Sequence, residues 1–99
     1  MAKNPFTIDY AKEAVKDLKL LRAFDQTKIL DAIEKWLKSE PTKESRTRIK
    51  RMKQPFWSQY RLRVDDFRVY YDVDETKHVV GIIRILEKGQ KSTEGGDES

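Results

Sequence analysis

Hydrophobic and polar positions alternate most regularly between Tyr60 and Tyr71, where Tyr60, Leu62, Val64, Phe67, Val69 and Tyr71 share one face. Two such runs around Asp65-Asp66 predict a β-hairpin closed by a two-residue turn. That register pairs Val64 with Phe67 and sets Arg63 opposite Arg68. Arg61, Arg63, Arg68 and Tyr70 then occupy the second face. Like charges placed directly across a strand pair destabilise it. Three arginines in that position point to an anion outside the protein, phosphate first.

Upstream, Phe6-Thr7-Ile8-Asp9 alternates after Pro5 and predicts a short strand, with Asp9 as the cap of a helix starting near Tyr10. Ala11, Ala14, Val15, Leu18 and Leu21 form its apolar side, and Lys12, Lys16 and Lys19 its solvated side. Asp25 is placed to cap a second helix, in which Ile29, Leu30, Ile33, Trp36 and Leu37 recur at helical spacing. Pro41 ends it, because the residue before a proline is pushed out of helical geometry. The link between the two is short, so they form a helical hairpin. Trp36 belongs to its apolar side and reads as core.

Residues 42–55 show no clear period. They read as a basic connector anchored by Ile49 and Met52, with Arg46, Arg48, Lys50, Arg51 and Lys53 left for water or a ligand. After the hairpin, Asp72 to Lys77 reads as a turn. His78 to Leu86 is nearly continuous in apolar residues, as a strand with neighbours on both sides would be. Gly89 to Ser99 holds no large apolar side chain and is expected to be a disordered tail. The pattern as a whole is α+β, in the order β-α-α-β-β-β. It is an antiparallel sheet with the two-helix hairpin on one face and the arginine face open. Residues 1–88 form one domain and 89–99 a tail.

Composition narrows the chemistry. Of 99 residues, 38% are charged and 37% hydrophobic, which allows one modest core. Residues 41–70 carry nine Lys/Arg against three Asp/Glu, a net of +6, whereas residues 71–99 carry four against seven. Basic charge therefore gathers before and within the hairpin, as a footprint for a polyanion or an acidic protein partner. With no cysteine and a single histidine, His78, thiolate sites and histidine clusters are excluded, and neither metal nor cofactor is expected. No apolar run approaches the about 20 residues of a membrane span, and the N-terminus lacks a signal-peptide core. The expectation is a cytoplasmic protein.

The segment Tyr60-Arg-Leu-Arg-Val-Asp-Asp-Phe-Arg-Val-Tyr-Tyr71, followed by an apolar strand and preceded by the helical hairpin, resembles the RelE/ParE superfamily. Its members are the toxins of type II toxin–antitoxin systems, and the likeness covers roughly residues 5–88. The resemblance implies a microbial origin, a cognate antitoxin that binds in a hetero-oligomer, and one of two activities. RelE-like members cut mRNA on the ribosome, without a metal; ParE-like members poison DNA gyrase. A third possibility is a toxin fold that only binds.

By position, the resemblance makes Arg61, Arg63, Arg68 and Lys88 the catalytic, phosphate-holding set. It also makes Lys53 RNA-binding; charge and parity add Arg51, Tyr70 and Arg84 to that surface, with Arg84 divided between it and a structural ion pair. Trp57 shares the arginine-face parity, as a contact for either RNA or antitoxin. The general base stays unassigned. The chain departs from the family after Lys88, where no Tyr or His follows. Lys88 also offers a point charge in place of a guanidinium fork.

Overall fold

The computed structural model describes residues 5–88; the 89–99 tail lies outside the described residues. Strand β1 (Thr7–Tyr10) leads into helix α1 (Lys12–Lys19) and then α2 (Ala23–Ala32), whose last turn, Ile33–Leu37, widens into a π-helix. Strands β2 (Ile49–Arg51), β3 (Tyr60–Val64), β4 (Phe67–Asp74) and β5 (Val79–Glu87) follow. They form one sheet in the order β1-β5-β4-β3-β2, antiparallel except for β1, which runs parallel to β5. β5 therefore has a neighbour on each side, as its apolar run requires.

The inward face of the sheet and the inner faces of the helices make one core. Ala14, Ile29, Ile33 and Leu37 from the helices meet Leu62, Val69, Tyr71, Val80 and Ile82 from the strands, all without solvent exposure. Ile29, Ile33 and Leu37 are the i, i+4, i+8 positions of the helical pattern, and Trp36 packs half-buried at the edge of the same cluster. Tyr71 anchors the chain beyond α2: its hydroxyl donates to the Pro41 carbonyl at 2.6 Å, and its ring stacks on Tyr60 at 5.5 Å. Burial, and then the neighbouring Tyr60, hold this phenol's pKa far above its ordinary value.

Five features depart from the sequence reading. The sheet is mixed, not antiparallel throughout, because β1 pairs in parallel with β5, a partner so distant along the chain that it leaves no local signal. The connector contains a strand, β2, whose Ile49 is the only large apolar side chain it contributes to the core. Three residues with one apolar member leave no period to detect. Asp9 does not cap α1: it lies in β1 opposite Gly81, and the cap position is Ala11, without a side-chain bond. Asp25 likewise sits inside the first turn of α2, where it faces Arg22 and Lys28, and Arg22 holds the cap position. Finally, the face opposite the helices is partly covered. The loop 52–59, closed by the Met52 N–H donating to the Gln59 carbonyl, packs the stacked pair Phe56 and Trp57 at a tilt against Tyr70.

Both sheet edges at the hairpin end are finished by hydrogen bonds from outside the sheet. Parallel pairing with β1 stops at Ile82, and beyond it the Asp17 carboxylate of α1 accepts the Ile85 N–H at 2.9 Å. On the β2 edge, the Ser45 hydroxyl accepts the Ile49 N–H while the Ser45 N–H donates to the Ile49 carbonyl. Glu44 accepts the Arg51 N–H at 3.1 Å.

Candidate functional site

The hairpin register is the one read from the sequence: Val64 pairs with Phe67, Arg63 with Arg68 and Arg61 with Tyr70. Asp65 takes a left-handed backbone, φ +53°, which aspartate tolerates better than most residues because its short polar side chain bonds locally. Its carboxylate accepts a 2.9 Å hydrogen bond from the Lys28 ammonium of α2. That bond is the main reason the Lys28 pKa is raised. The turn that aims the arginines is thus tied to the helical layer.

On the outer face the side chains fall into rows across the strands. The first row runs from Arg63 on β3 to Arg68 on β4 and Leu86 on β5. The second runs from Lys50 on β2 through Arg61 and Tyr70 to Arg84. The third holds Asp72, Gly81 and Asp9. Rows lie about 6.6–6.8 Å apart, two residues along a strand. The face is therefore basic toward the turn and acidic at the far end. A cleft of about 330 Å³ opens at the basic end, lined by Ser45, Arg46, Lys50, Arg61 and Arg63 among others. Another, of about 400 Å³, lies between Asp9, Asp72 and Gly81.

The structure brings Arg61, Arg63 and Arg68 together on this face. Lys88 follows β5 with the parity of Leu86, and its N–H donates to the Asp66 carbonyl, which places it beside the turn. Other expected contacts go elsewhere. Arg51 has the parity of Ile49, so its guanidinium turns to the helix side, bonding the Tyr60 hydroxyl at 3.0 Å. Arg84 makes a two-pronged bond to Asp17, from Nε at 2.8 Å and from a terminal nitrogen at 3.0 Å.

A β-bulge between Tyr70 and Tyr71 inserts Ile83 opposite them and swings Arg84 outward to that edge. Tyr70 is buried beneath Phe56 and Trp57, so it supports that aromatic group and offers no open ring to a ligand. Trp57 is the exposed member, at 39%. Lys53 is exposed in the same loop. His78 stacks on Phe6 at 3.8 Å, at the start of β5 and away from the arginines.

Sequence reading understated two contributors. Arg46 and Lys50 read from the sequence as facing water or a ligand with the rest of the connector; the Ser45 turn places Arg46, and the short strand β2 places Lys50, in the cleft with Arg61 and Arg63. The lone Ile49 between charged neighbours was the only signal for that strand. Among the described residues, no group of three or more His, Cys, Asp or Glu side chains is arranged to hold a metal ion. No helix there is long and apolar enough to cross a membrane.

Chemically, guanidiniums on one rigid face can grip phosphate oxygens and stabilise charge developing on them. They do not accept protons near neutral pH.

The model of the ParE toxin of the type II toxin–antitoxin system parDE matches residues 8–91. No curated protein matches the sequence. Among solved structures, the fold is similar to a chain of a RelBE toxin–antitoxin complex from Mycobacterium tuberculosis. The TM-score is 0.71 at 21% identity, covering 85% of this chain and 99% of that one. It is also similar to a chain of the archaeal RelE–RelB complex from Pyrococcus horikoshii, with a TM-score of 0.70 at 23% identity, over 86% and 97% of the two chains. The intact RelBE complex of E. coli gives 0.57 at 18% identity, over 86% and 99%.

Proposed function

The chain belongs to the ParE toxin family of type II toxin–antitoxin systems; from the geometry of its arginine face we propose that this face binds RNA phosphates and cleaves ribosome-bound mRNA. The observation that carries this reading is the adjacency of Arg61, Arg63 and Arg68 on one sheet face next to a basic cleft. A cognate antitoxin is the expected inhibitor, since the structural relatives were solved as toxin–antitoxin complexes.

Cleavage would proceed by attack of a ribose 2′-oxygen on the adjacent phosphorus. The P–O5′ bond breaks, leaving a cyclic phosphate and a 5′-hydroxyl. Charge builds on the non-bridging oxygens in that transition state, where positioned guanidiniums act most strongly. Arg68 and Arg63, closest to each other, are the clamp; Arg61 holds the neighbouring phosphate; Lys88 adds charge from the turn side. Guanidiniums do not accept protons near neutral pH, so the rate enhancement assigned to them is electrostatic. The base for the 2′-hydroxyl and the acid for the 5′-oxygen stay unassigned.

Induction of the toxin in a bacterial host, followed by mapping of mRNA ends, tests the proposal, with Arg68→Ala as the control. Ribosome-dependent new ends that vanish in the variant support it. The second reading, inhibition of DNA gyrase, is favoured by the family model, which is that of a ParE toxin. Intact mRNA together with lost supercoiling activity would establish it in place of cleavage.

A further inference from the structure

We infer that the cleft at the β2 edge is a second phosphate subsite for single-stranded RNA, with Arg46 and Lys50 as its dedicated contacts. The strand then leaves the arginine face across β2. The inference rests on the RNA reading of that face and adds a direction and two residues to it.

A polynucleotide with one phosphate at Arg63 and Arg68 has four ways off the face. Toward the far end of the strands it meets Asp9 and Asp72, which flank the side-chain-free Gly81. Two carboxylates there repel its backbone. Toward β5 it meets Leu86 in the first row and, in the second, an Arg84 already bonded twice to Asp17. Beyond the turn stand Asp65, bonded to Lys28, and Asp66, with Lys88 beside them as a single added charge on that side of the face. Toward β2 positive charge continues from side chain to side chain, through Arg61 and Arg63 to Lys50 and Arg46 around a cavity of about 330 Å³. A space of that size takes a phosphate and its sugar.

The cleft is also built. Ser45 accepts the N–H groups of Arg48 and Ile49 at 3.0 and 3.2 Å, which fixes the turn carrying Arg46 and Thr47. Arg48 also lines the cleft, with its guanidinium resting 4.1 Å from the Trp36 ring centre. Arg46 and Lys50 are exposed, so their substitution leaves the core untouched.

The test is the salt dependence of binding between the full chain and a short, labelled single-stranded RNA, read by fluorescence anisotropy over a KCl series. Each phosphate contact with a single strand contributes about 0.7 to the slope of log K against log salt. The double variant Arg46→Ala, Lys50→Ala should flatten the slope by about 1.4. Lys77→Ala, in the distant β4–β5 turn, should leave it unchanged. An unchanged slope in the double variant, with Arg68→Ala still flattening it, would overturn the cleft while leaving the arginine face intact. No change with Arg68→Ala as well would overturn both readings. Equal competition by polyglutamate of matched charge would make the cleft a seat for an acidic protein segment. Equal affinity for duplex RNA would remove its single-strand selectivity.

Discussion

Arg63 and Arg68 face each other across β3 and β4 as a pair that shares no backbone hydrogen bonds, because the Arg63 N–H donates the other way, to the Arg48 carbonyl at 2.9 Å. Such pairs bring opposing side chains closest. Two guanidiniums there oppose folding and favour an anion between them. Arg63→Thr removes the repulsion and adds a better strand former. We expect it to raise the unfolding free energy by a few tenths to about 1 kcal/mol while weakening RNA binding. Urea titration and anisotropy read the two effects; a loss of stability would show that the pair is not repulsive.

The Arg84–Asp17 bond is expected to matter for stability and not for RNA. Asp17→Ala strips acceptors from Arg84 and from the Ile85 N–H. It should cost about 2–3 kcal/mol, as hydrogen bonds to a charged group do. Arg84→Ala should leave the salt slope of RNA binding unaltered. A shallower slope would return Arg84 to the binding surface.

Tyr71 sets the alkaline limit. Tyr71→Phe leaves the Pro41 carbonyl without its buried donor, at a cost of about 1–3 kcal/mol. In the wild type the phenol's pKa is raised on folding, so above about pH 10 the unfolded chain loses this proton while the folded chain keeps it. Its contribution is complete below that pH and declines above it, by about 1.4 kcal/mol per pH unit. The raised Lys28 pKa has the same sign, its bond to Asp65 being lost at high pH. Thermal unfolding across alkaline pH, with Tyr71→Phe as reference, should show the steeper decline in the wild type.

Trp57 packs on Tyr70, the register partner of Arg61, and on the RNA reading its exposed ring would stack a base. Stacking on an aromatic ring contributes about 1–3 kcal/mol per base. Trp57→Ala should therefore weaken RNA binding by about tenfold or more without changing its salt slope. RNA should also quench the Trp57 fluorescence seen in a Trp36→Phe background. Quenching by inorganic polyphosphate to the same extent would exclude stacking.

The sequence was most informative where its periods were local. Alternation from Tyr60 to Tyr71 specified the hairpin to the residue, because a slip of one position would have turned Leu62 and Val69 into solvent. The helix spacing of Ile29, Ile33 and Leu37 was equally plain. What escaped depended on distant partners. β2 is a strand only because Ile49 finds Leu62, and β1 is an edge only because β5 lies beside it. Arg51 read as a binding residue, and Arg84 as either a binding residue or half of an ion pair, because parity says nothing of Asp17 or Tyr60. Tyr70 read as an exposed ring because nothing local shows that residues 52–59 fold over it.

The finished edges carry a consequence for how anything can join this molecule. Exposed strand edges are templates for pairing with another chain, and proteins commonly guard them. Here Asp17 occupies the edge of β5 past Ile82, and Ser45 with Glu44 occupies that of β2. A foreign strand could extend the sheet at the arginine end only by displacing those bonds. Self-association through that end is discouraged for the same reason. Recognition there is left to side chains on the face, so a partner is chosen by its charge and rings more than by its backbone.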